Sequence, residues 1–316
     1  MAKARGWPFG LALWLLVLAG AELVAFVELW RFFVQSERGQ LLDTVALTGN
    51  SIGQARIASA VDTVLNTISV LSLAVATATV GFIALIRRRI ALAFGAVLLI
   101  VGANLSTQVA KAIIARPQLG VDVQRAAAGN SLPSGHTTIA ASVAVALILV
   151  LPPRLRAVAA MAGAVLTTLA GVATLSAGWH RPSDAVAALL VVGAWACVAG
   201  LFTVTAQSRH GAVDYGPASR GTTVWLAGTG LVLLAGAWLA ALATGQVLPA
   251  DPEDLSRYRL LVAYAGGAMA IAGSAGLVLA SVLATAHRVA PQVVPADDVA
   301  AVPAGNTAGE TPIGIH

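Results

Sequence analysis

The chain has 316 residues, of which 58% are hydrophobic and only 10% charged, against about 25% charged in ordinary soluble domains. That balance excludes a soluble globular domain and indicates an integral membrane protein, and apolar runs that are continuous rather than alternating favour a helical bundle over a barrel. The net charge of +5 suits anionic lipid headgroups, and no basic–aromatic interleaving marks a nucleic-acid groove.

A spanning helix needs ~20 mostly apolar residues, and this rule predicts eight spans, at 8–30, 62–86, 90–112, 134–151, 157–177, 183–206, 223–245 and 259–286. The first follows Lys3 and Arg5 and stays apolar to Trp30. It exceeds the ~7–15 residues of a signal-peptide core, so an uncleaved helix is expected. Arg87-Arg88-Arg89 separates the second and third spans, Pro152-Pro153-Arg154 the fourth and fifth, and Gly178 to Pro182 the fifth and sixth. Gln207 to Gly221 reads as a polar loop before the seventh. Pro249, Asp251, Pro252, Glu253 and Asp254 mark the turn before the eighth.

The tail, 287–316, is rich in Ala, Val and Pro and reads as a disordered cytoplasmic end. Cys197 is the lone cysteine, which excludes an intrachain disulfide and a cysteine-based metal site. In the eighth span Gly266, Ala270 and Ser274 repeat small residues every fourth position. Such a stripe permits close helix packing, within the chain or in a homodimer.

Lys and Arg tight against the helices mark the cytoplasmic side. Lys3, Arg5, Arg87 to Arg89, Arg154, Arg156, Arg209, Arg220 and Arg288 share one side. The cations of the other side are spread over longer loops that also carry Glu37, Asp43, Asp122, Asp184 and Asp251. Cytoplasmic termini follow. The loops after the third and fifth spans then both lie on the extracytoplasmic face.

Those two loops bring polar chemistry together. Lys111 and Arg116 stand in K-A-I-I-A-R-P, where snorkelling anchors are the plain alternative. Pro117 stops the helix and pushes Arg116 into extended backbone. In N-S-L-P-S-G-H-T-T, Ser134 is a natural N-cap and Gly135 lets a ligand approach the backbone. A helix N-terminus is an anion site, so a phosphate there would meet Ser134, the Gly135 amide and His136. In W-H-R-P-S-D, Pro182 favours a helix start and puts Asp184 in the first turn. An acidic first turn suits the helix dipole by itself. The i, i+4 spacing of His180 and Asp184 also sets a carboxylate beside an imidazole, fixing its tautomer and leaving the other nitrogen to attack phosphorus.

With these residues in this order, the sequence resembles the type-2 phosphatidic acid phosphatase superfamily, integral-membrane lipid phosphate phosphatases related in fold to vanadium haloperoxidases. The family pattern is K-x6-R-P, then P-S-G-H, then S-R-x5-H-x3-D. Pro133-Ser134-Gly135-His136 matches the second part, His180 and Asp184 match the H-x3-D, and Lys111 matches the first lysine. The resemblance covers roughly residues 60–206, five spans by the ~20-residue rule. With the first span it implies an all-α, polytopic transmembrane bundle. The expected organisation is a six-helix phosphatase core over 1–206, two additional C-terminal spans over 207–286, and the tail.

The resemblance also implies roles. His180 is the nucleophile that becomes a phosphohistidine, Asp184 orients it, and His136 protonates the leaving group. Lys111, Ser134 and Gly135 grip the phosphoryl oxygens. No metal or other cofactor is implied, and the partner is a membrane lipid phosphate. Two departures stand out. Strict spacing puts Gln118 at the family arginine, while Arg116 sits two residues early and is expected to reach the site. The S-R ahead of His180 falls on Ala173-Thr174, so one phosphate-gripping arginine is absent, with Arg125 and Arg181 as substitutes. The function expected is hydrolysis of a lipid phosphate or polyprenyl diphosphate at the extracytoplasmic face. The alternatives are a lipid phosphotransferase or a weak or inactive relative that binds or transports lipid.

Overall fold

In a helix that lies in lipid every backbone polar group is satisfied internally, and the long apolar runs of this chain form such helices. The computed structural model describes residues 9–52, 54–121, 130–206, 212–214, 219–246, 248 and 255–294. Its helices are α1 (Phe9–Phe33), α2 (Glu37–Thr48), α3 (Gln54–Thr67), α4 (Val70–Ile86), α5 (Ile90–Ile113), α6 (Gly135–Val150), α7 (Pro153–Ser176), α8 (Pro182–Ala206), α9 (Arg220–Gly245) and α10 (Arg257–Val289). The only strands among the described residues, Ala212–Asp214 and Gln292–Val294, form one short antiparallel pair. The chain is an all-α, multi-pass bundle. Among the described residues six helices are long and apolar enough to cross a membrane: α1, α5, α7, α8, α9 and α10.

Two of the expected spans take a different form. The second is broken. Ser69 caps a new helix through a reciprocal capping box, its hydroxyl accepting from the Ser72 amide at 3.3 Å while the Ser72 hydroxyl accepts from the Ser69 amide at 2.9 Å. As a result α3 and α4 meet at a bend of 50°, and only together do they reach spanning length. The fourth, α6, has 16 residues, about 24 Å of helix against a hydrocarbon core of about 30 Å. The Ser134 cap fixes one end and Pro152-Pro153 the other.

The stretch after α1, expected as a loop, folds into α2. Ser36 caps it by accepting the Gly39 amide at 3.1 Å. Gly39 lies against the carbonyl of Phe32, where a Cβ has no room. Val45 and Leu47 are buried, and so are the polar Gln40 and Asp43. Gln40 donates to the carbonyls of Val34 and Pro117, at 2.8 and 3.0 Å, and so ties α2 to the segment after α5.

α8 is the central helix, with α1, α5, α6 and α10 around it. Leu99, Ile148, Leu189, Val192 and Leu279 are buried there. α10 is 33 residues long and packs against α7 and α8 as well as α9. Its small residues serve packing within the chain. A Cβ on Gly266 would stand 2.6 Å from that of Ala240 on α9, and a Cβ on Gly267 would stand 2.5 Å from Cγ of Pro182 at the start of α8. At the opposite end the buried Arg156 holds the carbonyls of Ala286 and Ala290, at 3.1 and 2.7 Å. The Ala286 carbonyl also accepts the Ala290 amide at 2.9 Å, so Arg156 reinforces the C-terminal end of α10. Of the expected tail, 287–289 continue α10 and 292–294 form a strand, while the part beyond 294 lies outside the described residues.

Candidate active site

The site is assembled at one end of the bundle from three chain segments. Lys111 lies in the last turn of α5, whose C-cap Ile114 is already extended. This turn delivers Arg116 beneath the start of α8. The second segment leads into α6. Ser134 caps that helix, its hydroxyl accepting from the amide and hydroxyl of Thr137 at 3.4 and 3.0 Å. Ser134 is fully buried, so its side chain serves the helix start. The third segment turns back after α7 at Gly178, whose φ of +75° is left-handed. The Thr174 carbonyl then accepts the amides of Trp179 and His180, at 3.0 and 3.2 Å.

Asp184 is the hub. Its Oδ2 lies 3.2 Å from Nδ1 of His180 and accepts the Ser131 hydroxyl at 2.6 Å and the Arg181 amide at 3.0 Å. Its Oδ1 faces Arg116 at 3.7 Å, and both side chains are buried. The expected His–Asp pair is therefore formed. Because Nδ1 faces the carboxylate, Nε2 is on the side of the His180 ring away from it. The Asp184 carbonyl in turn accepts the Ser134 amide at 2.8 Å, joining the second and third motifs directly.

His136, one residue into α6, is half-buried and stacks obliquely on Trp179, with ring centroids 5.6 Å apart. It lies within electrostatic reach of His180 and Lys111. A Cβ on Gly135 would stand 3.7 Å from Lys111 Nζ, so that ammonium lies beside the first turn of α6. His180, Lys111, His136 and the α6 N-terminus thus lie together at this end of the bundle.

The two departures have structural consequences. Thr174 is buried and donates its hydroxyl to the Gly171 carbonyl at 2.8 Å. It offers that hydroxyl to its own helix. Arg116 makes its ion pair with Asp184. Arg181 is buried beside His180, while Arg125 lies outside the described residues. Among the described residues no group of three or more His, Cys, Asp or Glu is arranged to hold a metal ion.

One residue of the site escaped the sequence reading. Asp43 of α2 is buried, and its Oδ1 accepts the Ser183 amide at 3.1 Å while Oδ2 accepts the Ser183 hydroxyl. In sequence it is one acid in an expected loop, and no motif marks it.

Comparisons with curated proteins and with solved structures give no match. The model of the PAP2 superfamily matches residues 90–208, a segment that holds Lys111, Arg116, the Ser134–His136 step and the His180–Asp184 pair. The segment that builds this site is the one that the PAP2 superfamily model matches.

Proposed function

We propose that this chain is a membrane phosphatase that hydrolyses a lipid phosphate or polyprenyl diphosphate through a phosphohistidine, with its site on the extracytoplasmic face. The PAP2 match and the apolar helices support a phosphatase-type membrane enzyme. The observation that carries the finer reading is the His180–Asp184 pair facing the α6 N-terminus, with Lys111 and His136 beside it.

The steps balance. Nε2 of His180 attacks phosphorus while Asp184 steadies the imidazolium that forms. The bond from phosphorus to the leaving oxygen breaks, and protonated His136 gives that oxygen its proton. The product is a lipid alcohol from a monophosphate, or a lipid monophosphate from a diphosphate. Neutral His136 then takes a proton from water, which attacks phosphorus and breaks the P–N bond. Inorganic phosphate leaves and both histidines return to their starting states. Lys111 and the α6 amides neutralise the phosphoryl oxygens.

A groove supports a lipid substrate. It has a volume of about 590 Å³ and runs along α6 and α7 from Ile139 and Leu169 to Leu151 and Leu155, closed on one side by α3 and α4. Its upper end is one helical turn from His136. Its length along α6 is about 18 Å, enough for a long hydrocarbon chain. The occupant we assign is the tail of the substrate itself. The charge distribution of the loops supports the extracytoplasmic placement.

The test is phosphate release by purified protein in detergent, on long-chain lipid phosphates and on a short water-soluble phosphate ester. Release from the long-chain substrates, lost in His180→Ala, is expected. A wild-type protein that binds these lipids without releasing phosphate would favour a non-catalytic lipid-binding role, for which the occupied Thr174 hydroxyl speaks.

A further inference from the structure

We propose that Asp43 is a positioning residue for the reaction: from α2 it fixes Ser183, and through Ser183 the first turn of α8 that carries Asp184. This inference rests on the phosphatase reading of the site.

The first amides of a helix lack intrahelical acceptors. In most helices a Ser, Thr, Asp or Asn just before the first turn supplies one. The residue before Pro182 is Arg181, whose side chain has no acceptor. The acceptor comes instead from a carboxylate 140 positions away in sequence, which takes both the amide and the hydroxyl of Ser183. Ser183 is the residue immediately before Asp184, and Asp184 holds His180 by its side chain and Ser134 by its carbonyl. A shift of that turn therefore moves the nucleophile and the start of α6 together.

The charged groups acting on Asp43 are Asp184 and Arg181 at the start of α8, and Arg116 after α5. The cavity that Asp43 lines is otherwise lined by uncharged residues, Phe33 of α1, Ala237 of α9 and Ala263 of α10 among them. Burial, and then the nearby Asp184, push the Asp43 carboxyl up to about 6, against the opposing pull of Arg116, the Ser183 hydrogen bond and Arg181. A buried acid whose environment disfavours its charge, kept beside the site, fits a functional role better than a stabilising one. Once protonated, Asp43 presents a donor where Ser183 needs two acceptors.

The experiment measures kcat and KM for a long-chain lipid phosphate across pH in wild type, Asp43→Asn, Ser183→Ala and Ser183→Thr, with His180→Ala as control. Asp43→Asn mimics the protonated acid. Its kcat at neutral pH should fall by on the order of 10- to 100-fold, as for a site held slightly out of register, with KM little changed because Asp43 does not touch substrate. In wild type Asp43 must lose its proton for full activity, so the acid side of log kcat should carry a limb that is absent in Asp43→Asn. Ser183→Ala should lower kcat and Ser183→Thr, which keeps the hydroxyl, should restore it. These two variants decide the matter if Asp43→Asn does not fold. Wild-type kcat and an unchanged acid limb in Asp43→Asn, or wild-type kcat in Ser183→Ala, overturns the role of Asp43 alone. No phosphate release by wild type, or full activity in His180→Ala, overturns the phosphatase reading and this inference with it.

Discussion

The Ser134 amide donates to the Asp184 carbonyl at 2.8 Å, so the cap of the helix bearing His136 is fastened to the residue that orients His180. The two histidines, 44 positions apart in sequence by their numbering, are set by one backbone hydrogen bond between two helix starts. Neither helix can slide without disturbing the other's functional side chain.

The roles of the two histidines separate kinetically. His180→Ala should abolish phosphate release and leave no phosphoenzyme. His136→Ala should slow turnover by about 10²–10⁴-fold, the usual worth of a positioned acid. The loss should be smaller for substrates whose leaving group needs no proton, such as an aryl phosphate. Rapid-quench trapping of acid-labile phosphoprotein checks both. Equal loss on alkyl and aryl substrates in His136→Ala would falsify its role as the acid.

Arg116 is buried with its guanidinium 3.7 Å from Asp184. Arg116→Ala leaves the Asp184 charge less compensated and removes a cation near the phosphoryl site, so activity should drop by on the order of 10²-fold or more. Arg116→Lys keeps the charge without the planar fork and should recover only part of it. Steady-state rates of the two variants beside Arg181→Ala provide the check. Near-normal activity in Arg116→Ala with a dead Arg181→Ala would make Arg181 the working cation.

Much of this site was legible because its chemistry is written in short local spacings. The four-residue step from His180 to Asp184 and the Ser134 cap survive whatever the rest of the fold does. Asp43 was not legible, because its importance arises only when a half-length polar helix docks on the start of α8. The burial of α10 between α7 and α8 is also a tertiary fact that hydropathy does not encode, since a lipid-facing span and a core span read alike. The break in the second span was within reach: Ser69 and Ser72 are spaced as a capping box inside the apolar run. Their weight was masked by the apolar residues on both sides.

The groove along α6 and α7 gives a prediction about tails. Val143 lines it two helical turns below His136, away from the reacting groups. Val143→Trp adds bulk in the channel and should raise KM for long-chain lipid phosphates by about 10-fold, in the range expected for lost apolar burial. Hydrolysis of a short water-soluble phosphate ester should be unchanged. A parallel loss on both substrates would mean that the groove does not hold the tail.

The buried Asp43 also leaves a thermodynamic signature. Its carboxyl is raised from 3.8 to about 6, chiefly by burial. Between those values the folded protein holds a proton that the unfolded chain has released. Stability therefore falls as pH rises from about 4 to about 6 and is flat in this contribution above that window, a total of roughly 3 kcal/mol at about 1.4 kcal/mol per unit. Asp43→Asn cannot titrate and does not pass through this window. The difference in unfolding temperature, variant minus wild type, should thus become more positive from pH 4 to pH 7 in one detergent. Even though Asp43→Asn is expected to slow the reaction, it should stand higher in stability relative to wild type at neutral pH than at pH 4. A difference that is constant across that range would mean that Asp43 titrates near its ordinary value, with the charge on its carboxylate fully offset by Arg116, Arg181 and Ser183.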